Sequence, residues 1–564
     1  MKTALALLVL SLPAMAANPT LEIKVDQAGY LLRGPKVAMV VSAKIGTGFT
    51  VCRTTDGSVV FSGQLSPGAR DADSGDVVQQ ADFSKLAEKG RFYIDVPGIG
   101  RSWNFNVGAD AFTRAYYLAM RSFYGQRCGT VVDLGPEFSV FKHAACHTRA
   151  EYHASSGKTG PANITGGWHD AGDYGRYVVN SGITTGTLLW TWELFGPRVA
   201  KIGLHIPESG IGIPDMLSEI RWNLNWMLAM QDTDGGLWQK EMTEQFGGFV
   251  MPEKDGLHTV IGTGKPPYKS SCATADFAAV MAIASRAYAP YDATFSRKTS
   301  DAAKRAWQWV ELNPNVIFRN PPGVHTGEYG DNDCGDEHLW AAAELWRTTK
   351  DKAYAEYFTG HYGSYTSTIR AVRPQDWQYV APMALWTWVL GGANDHAAKD
   401  IRERTQKAAD QIVARSLQNG YRTSLAPTDY IWGSNGLAAN YGVELVVANA
   451  LHPDARYADA AMDNLHYLLG RNAFSLSWVT AVGEHAFQHP HHRPSAADGI
   501  EAPWPGLLSG GPNRDREDMV LKALPDLPPA KIYADDQNSY ASNENAINWN
   551  AALVFLLAAT LPAN

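Results

Sequence analysis

The stretch "IPDMLSEIRWNLNWMLAMQ", residues 213–231, sets Met216, Leu217, Ile220, Leu224, Met227 and Leu228 three and four positions apart. That spacing lines apolar side chains along one stripe of a helix, so the segment reads as an amphipathic helix facing a core. The same texture returns in "AFTRAYYLAMRSFYGQ" (111–126), "SCATADFAAVMAIASRAY" (271–288) and "GDEHLWAAAELWRTT" (335–349). Counted this way, about a dozen helices are expected from residue 111 to the end. Upstream the texture differs: "KVAMVVSA" (36–43), "SVVFSG" (58–63) and "RFYIDVPG" (91–98) are short alternating runs broken by Gly, Pro and Asp. Such runs predict a small antiparallel β-sandwich.

A chain of 564 residues exceeds the size at which one core stops growing, so more than one domain is expected. The boundaries read as 17–108 for the sandwich and 109–564 for the helical part. Residues 1–16, "MKTALALLVLSLPAMA", carry one lysine, an apolar run and a small residue on either side of Met15, the pattern of a cleaved signal peptide. Export to the periplasm or the medium follows as an expectation. No later stretch offers about 18 uninterrupted apolar residues, so no membrane partner is expected. With 49 Lys and Arg against 57 Asp and Glu, a net charge of -8, the chain lacks the basic footprint of a nucleic-acid binder. Its 18 Trp and 24 Tyr suit stacking on sugar faces as well as core packing.

Long Gly- and aromatic-rich loops are read at 128–175, 232–270 and 471–541, and such loops in a compact domain are usually functional. The first contains "GGWHDAGDYGRY" (166–177), with His169, Asp170 and Asp173 in one turn. Near the C-terminus, "KIYADDQNSYASNENAINWNAALVFLLA" brings Asp535, Asp536 and Glu544 among tyrosines, with a helix expected from about Ser542 and Glu544 in its exposed first turn. Glycoside hydrolysis needs two carboxylates on opposite faces of the scissile bond, one of them a carboxylic acid with a raised pKa. Asp173 with Asp170, and Glu544, fit that division.

Cys128, Cys146, His147 and His169 have the composition of a closed tetrahedral zinc site, but a Cys128–Cys146 disulfide is the rival reading for an exported chain. His143 and His153 read as surface residues and Cys334 as a buried thiol. Asp331, Asp333, Asp336 and Glu337 of "GEYGDNDCGDEHLW" offer the hard oxygens that Ca²⁺ takes. Trp432, Tyr540 and Trp340 are candidate stacking platforms.

"SLSWVTAVGEHAFQHPHHRPS" (475–495), "YADDQNSYASNENAINWNA" (533–551) and the DAGD turn together resemble glycoside hydrolase family nine, the inverting cellulases. The likeness runs through nearly all of 110–560. It implies an (α/α)6 barrel, here following an immunoglobulin-like sandwich, and an endo-acting hydrolase of β-1,4-glucans. By motif it makes Asp173 the general base, Asp170 its partner and Glu544 the general acid. Asp535 becomes an active-site carboxylate, and His491 and Arg493 become substrate contacts. At position 485 His stands where the signature carries Asn, Lys or Arg, which puts one subsite contact in question. The resemblance also favours zinc on the Cys₂His₂ set and calcium on Asp336 and Glu337, with Asp333 and Asp376. Exo-acting hydrolysis of short oligosaccharides, including glucosamine release, is the alternative within the family. A non-catalytic carbohydrate-binding protein would not need all three carboxylates. A monomer is expected, with no organic cofactor.

Overall fold

The computed structural model describes residues 18–563, and the expected signal segment at 1–16 lies outside them. Two sheets form the N-terminal sandwich. One pairs β1 (Ile23–Lys24), β3 (Val37–Val40), β7 (Val77–Asp82) and β6 (Ala69–Arg70); the other runs from β2 (Gly29–Tyr30) through β10 (Phe105–Val107), β8 (Gly90–Val96) and β4 (Gly48–Arg53) to β5 (Val59–Gln64), with β9 (Gly100–Arg101) on β8. In β8 the alternation is plain: Phe92, Ile94 and Val96 are buried while Arg91, Tyr93 and Asp95 face outward. Among these strands β2 and β10 pair in parallel, a departure from the all-antiparallel expectation.

The rest of the chain is built on long helices: α1 (Thr113–Gly125), α2 (Val178–Val199), α3 (Asp215–Ala229), α4 (Ser271–Tyr288), α5 (Ala293–Leu312), α6 (Gly335–Thr349), α7 (Lys352–His361), α8 (Ala381–Leu390), α9 (His396–Gln418), α10 (Ser434–Leu451) and α11 (Ala455–Leu468). Short turns α12 (Arg493–Ala497), α13 (Met519–Lys522) and α14 (Tyr540–Asn543) precede the last helix, α15 (Ile547–Thr560). α2, α4, α6, α8, α10 and α15 pack each on the next and close into a ring, while α1, α3, α5, α7, α9 and α11 lie outside it. The chain is thus an (α/α)6 barrel behind a β-sandwich. Ring helices are buried nearly all round, as in α4, where runs of alanine allow close approach. Outer helices are two-faced; α5 buries Phe295, Ala302, Ala306 and Val310 and leaves its other side to water.

Trp340 belongs to this core. Its ring is fully buried against Gly186, where an added Cβ would come 2.6 Å from the indole, so it is no stacking platform. Cys334 is likewise not a free thiol: it forms a disulfide with Cys272 that ties the first turn of α4 to the residue before α6. The long loops also hold short strands that their sequence does not announce. β13 (Ala150–Tyr152), β14 (Pro161–Ala162), β15 (Arg176–Tyr177), β16 (Lys240–Met242) and β17 (His258–Ile261) make one sheet in the order β14-β13-β17-β16-β15. It carries the DAGD turn into α2.

Candidate active site

The N-terminal ends of the ring helices open onto one cleft of about 820 Å³. Asp170, Asp173 and Glu544 all line it. The DAGD turn is fixed by its backbone. The Asp170 carbonyl accepts the Ile547 amide at 2.9 Å, Ala171 accepts the Gln126 side chain at 2.9 Å, and Gly172 accepts the Arg493 amide at 3.0 Å. A Cβ on Gly172 would meet the His491 carbonyl oxygen at 1.9 Å, so this glycine serves close approach of two backbones. Asn180 donates to Asp170 Oδ1 at 2.7 Å and the Tyr329 hydroxyl to Oδ2 at 2.6 Å. Asp173 Oδ2 accepts the Gly175 amide at 2.9 Å and the Tyr177 hydroxyl at 3.3 Å. Burial, and then the neighbouring Asp173, push Asp170 up to about 7.

Glu544 is placed differently from expectation. It lies in extended backbone between α14 and α15, bridged to His491, rather than in a helical turn. Its Oε1 accepts one hydrogen bond, from the Gly172 amide at 3.3 Å. Desolvation, and then the charge of Asp173, hold its carboxyl well above the usual range.

Two aromatic walls flank these groups. Tyr177, Tyr329 and Trp377 form one, with ring centroids 4.7 and 5.0 Å apart. The other is a ledge in which Trp432 meets Tyr540 at 5.3 Å, Tyr540 meets His491 at 6.0 Å, and His491 meets Phe249 at 5.2 Å. Trp432 and Tyr540 expose 42% and 36% of their surface, enough to receive a ligand. His491 Nδ1 donates to the Gln537 carbonyl at 2.6 Å, which leaves Nε2 as the lone-pair nitrogen. Arg493 lines the cleft and donates to the Gly247 carbonyl.

Asp535 is not among the cleft-lining residues. Its carboxylate accepts the Gln488 and His489 amides, each at 2.8 Å, and the Asn543 side chain at 3.0 Å, stapling two loops together. His485 stacks on Trp103 of the sandwich at 5.1 Å and 8°, so its departure from the signature falls at the domain contact and not at a subsite. Sequence reading missed Tyr329, Tyr177 and Asn180, which hold the two aspartates. It also missed Lys240, whose Nζ donates to Asn320 and to the Gly327 carbonyl, both at 2.7 Å, pinning the loop that brings Tyr329 in. Tyr329 stands 159 positions from Asp170, and no local pattern links them.

Cys128, Cys146, His147 and His169 converge, with ligand atoms all within 4.8 Å of one another. The two sulfurs are 4.0 Å apart and unbonded, Cys128 Sγ is 3.5 Å from His147 Nδ1, and Cys146 Sγ is 3.7 Å from His169 Nε2. Tetrahedral Zn²⁺ with Zn–S of about 2.3 Å and Zn–N of about 2.0 Å calls for edges of roughly 3.5–3.8 Å, so the donor set fits. His143 is buried beside this cage, contrary to its reading as a surface residue.

A second group gathers Asp276, Asp331, Asp336 and Glu337. Both oxygens of Asp276 and of Glu337, and Oδ2 of Asp331, are buried without a hydrogen-bond partner. Desolvation, then the Asp336 carboxylate, raise Asp276 and Glu337 well above the usual range. Orphaned oxygens of this kind suit a hard cation. Asp333 accepts the Gly335 amide and the Tyr365 hydroxyl, Asp376 accepts the amides of Gln378 and Tyr379 through one oxygen, and Asp336 likewise accepts those of Val380 and Ala381, so the orphaned oxygens belong to Asp276, Asp331 and Glu337. Asp276, an acid in an otherwise apolar helix, is the visible signal that motif reading passed over.

No described helix is long and apolar enough to cross a membrane. The sequence profile of glycosyl hydrolase family 9 matches residues 112–557, and that of the cellulase N-terminal ig-like domain matches 18–101. Endoglucanase D of Acetivibrio thermocellus is 37% identical over 95% of this chain and 83% of its own length. A cellodextrinase of Butyrivibrio fibrisolvens is 33% identical over 96% of this chain and 100% of its own. The crystal structure of a Zn-binding triple mutant of the family 9 endoglucanase J30 superposes with a TM-score of 0.88, at 34% identity over 95% of this chain and 100% of that one. The carboxylates of the DAGD turn and Glu544 meet in one cleft under aromatic walls, and the chain belongs to glycosyl hydrolase family 9.

Proposed function

We propose that the chain is an exported endo-β-1,4-glucanase that cleaves with inversion. The observation that carries this reading is the shared cleft of Asp170, Asp173 and Glu544 between two aromatic walls. Glu544, kept protonated by its desolvated place beside Asp173, gives its proton to the departing glycosidic oxygen. Asp173 takes a proton from a water that attacks the anomeric carbon from the opposite face as the C–O bond breaks. Asp170, gripped by Asn180 and Tyr329, holds the geometry of that water. A ledge running over Trp432, Tyr540, His491 and Phe249 spans several sugars, which supports attack within a chain. Arg493 and His491 supply hydrogen bonds to sugar hydroxyls.

Zn²⁺ in the Cys128–Cys146–His147–His169 cage would fix the base turn without activating water, because four protein ligands close the tetrahedron. Ca²⁺ would be held by Asp276, Asp331, Asp336 and Glu337 and would neutralise their charge. A product time course tests the reading. Carboxymethylcellulose should lose viscosity before glucose appears, and the first anomer released should be opposite in configuration to the substrate linkage. Glucose as the first product of cello-oligosaccharides, with no viscosity loss, would instead mark exo action; early glucosamine from chitosan oligosaccharides would do the same.

A further inference from the structure

Behind the cage a single carboxylate orders two imidazoles. Asp255 Oδ2 stands 3.4 Å from His147 Nε2 and 3.3 Å from His258 Nε2, and all three side chains are almost wholly buried. The two rings stack at 3.7 Å and 28°. A carboxylate oxygen accepts N–H donors, so Asp255 favours the hydrogen on Nε2 and the lone pair on Nδ1 in both rings: it pairs with His258 Nε2 at 3.3 Å and is the charge facing His147 Nε2, which has no formed hydrogen bond of its own. His258 offers an independent check. Its Nδ1 lies 3.1 Å from Arg176 Nη2, and a guanidinium only donates, so Nδ1 must be the acceptor.

The same tautomer on His147 turns the Nδ1 lone pair toward Cys128 Sγ at 3.5 Å. That lone pair can accept the Cys128 S–H or, with Cys128 ionised, share a cation with its thiolate. Cys146 Sγ and His169 Nε2 converge on the same point, so one cation answers all four donors.

From Arg176 the chain of contacts reaches the catalytic turn. Its Nη1 donates to the Gly166 carbonyl at 2.6 Å and its Nη2 to Glu241 at 2.6 Å, and Glu241 also accepts from Trp226 at 2.9 Å. Gly166 opens the "GGWHDAGDYGR" turn and Arg176 closes it. In the β15–β16 pair Arg176 lies opposite Glu241, and Tyr177 opposite Lys240. One face of the ladder therefore points to the cage and the other to the cleft.

We propose that Asp255 and His258 are positioning residues that fix the metal-binding tautomer of His147 and tie the cage, through Arg176, to both ends of the base turn. This rests on the zinc reading above. The test uses the full chain purified without added zinc and the variants Asp255→Asn and His258→Gln. Measured quantities are zinc content, the chelator concentration that removes half of the zinc, the melting temperature of metal-stripped protein, and kcat and KM on a soluble cello-oligosaccharide.

Asp255→Asn is expected to release zinc at about 10–100-fold lower chelator. Its metal-stripped melting temperature should match that of the stripped parent, which a merely structural role would not allow, and excess Zn²⁺ should restore kcat. His258→Gln should keep its zinc but lose kcat with KM unchanged, and it serves alone where Asp255→Asn does not fold. Zinc release unchanged in Asp255→Asn, or kcat unchanged in His258→Gln, overturns the proposal while the zinc reading stands. A parent chain that holds no zinc overturns the zinc reading itself.

Discussion

Asp170 and Asp173 are held mainly by side chains, those of Asn180, Tyr329 and Tyr177, with one backbone amide from Gly175, whereas Glu544 is held by backbone alone. Four donors from Asn180, Tyr329, Gly175 and Tyr177 reach the two aspartates. One long amide contact, from Gly172, reaches the glutamate. Donors stabilise a carboxylate, and their scarcity in a desolvated place stabilises the acid. The two sides of the cleft thus differ in how many hydrogen bonds each carboxyl is given. Their outer supports differ too. Sheet and cage stand behind the base turn, while the loops beside Glu544 lean on the N-terminal sandwich, where Lys531 pairs with Asp76 at 2.5 Å and the Ala530 amide donates to the Asp73 carbonyl at 3.0 Å.

Removing either reacting group should have the largest effect. Glu544→Gln and Asp173→Asn should each lower kcat by about 10²–10⁴-fold, with melting temperatures near that of the parent. The two differ in rescue: a substrate with an activated leaving group, which needs no protonation, should recover rate in Glu544→Gln and not in Asp173→Asn. Equal rescue in both would break the assignment.

A smaller effect lies in pH dependence. Glu544 must be protonated to act, so activity should fall as pH rises through its raised pKa, giving the alkaline limb of kcat/KM. The carboxylates of Asp173 and Asp170 both raise that pKa. Asp170→Asn removes one of these charges, so the alkaline limb should move to lower pH. A limb that stays in place would show that Asp170 is not charged when Glu544 titrates.

How far these contrasts could be read from sequence depends on range. Helix periodicity made the dozen helices legible, because each declares its buried stripe within four positions, while their closure into a barrel was implied only by the family likeness. The carboxylates that meet in the cleft were legible through the DAGD turn and the run around Glu544. Tyr329, Lys240 and Asp276 were not, since each acts on a partner brought near only by the fold. Asp535 was misread for the same reason: its motif place is beside the cleft, but its oxygens face the amides of Gln488 and His489. The strands at 150–152 and 258–261 are too short to show a period of two, and the Cys272–Cys334 pairing spans 62 positions without a spacing rule.

The sandwich contact gives the smallest expected effect and the most direct test of the acid-side support. Gln27 uses its whole amide on one barrel hairpin: Nε2 donates to the Ser475 and His485 carbonyls at 3.1 and 3.0 Å, and Oε1 accepts the Glu484 and His485 amides at 3.0 and 2.7 Å. That hairpin leads directly to His489 and His491, and the His491 amide donates to the Asn543 carbonyl at 2.9 Å, next to Glu544. Gln27→Ala leaves polar groups unpaired under Trp103 and should cost about 1–3 kcal/mol, read as a lower melting temperature. Because this loop feeds the ledge through His491 and does not touch the cage, KM on cello-oligosaccharides should rise severalfold while chelator release of the cage metal stays unchanged. The neighbouring Arg91–Glu484 pair is half exposed, so Arg91→Ala should change stability by less than about 1 kcal/mol and leave KM alone. A Gln27→Ala enzyme indistinguishable from Arg91→Ala would mean that the acid side is carried by the barrel after all, and the difference between the two halves of the cleft would reduce to their hydrogen-bond donors.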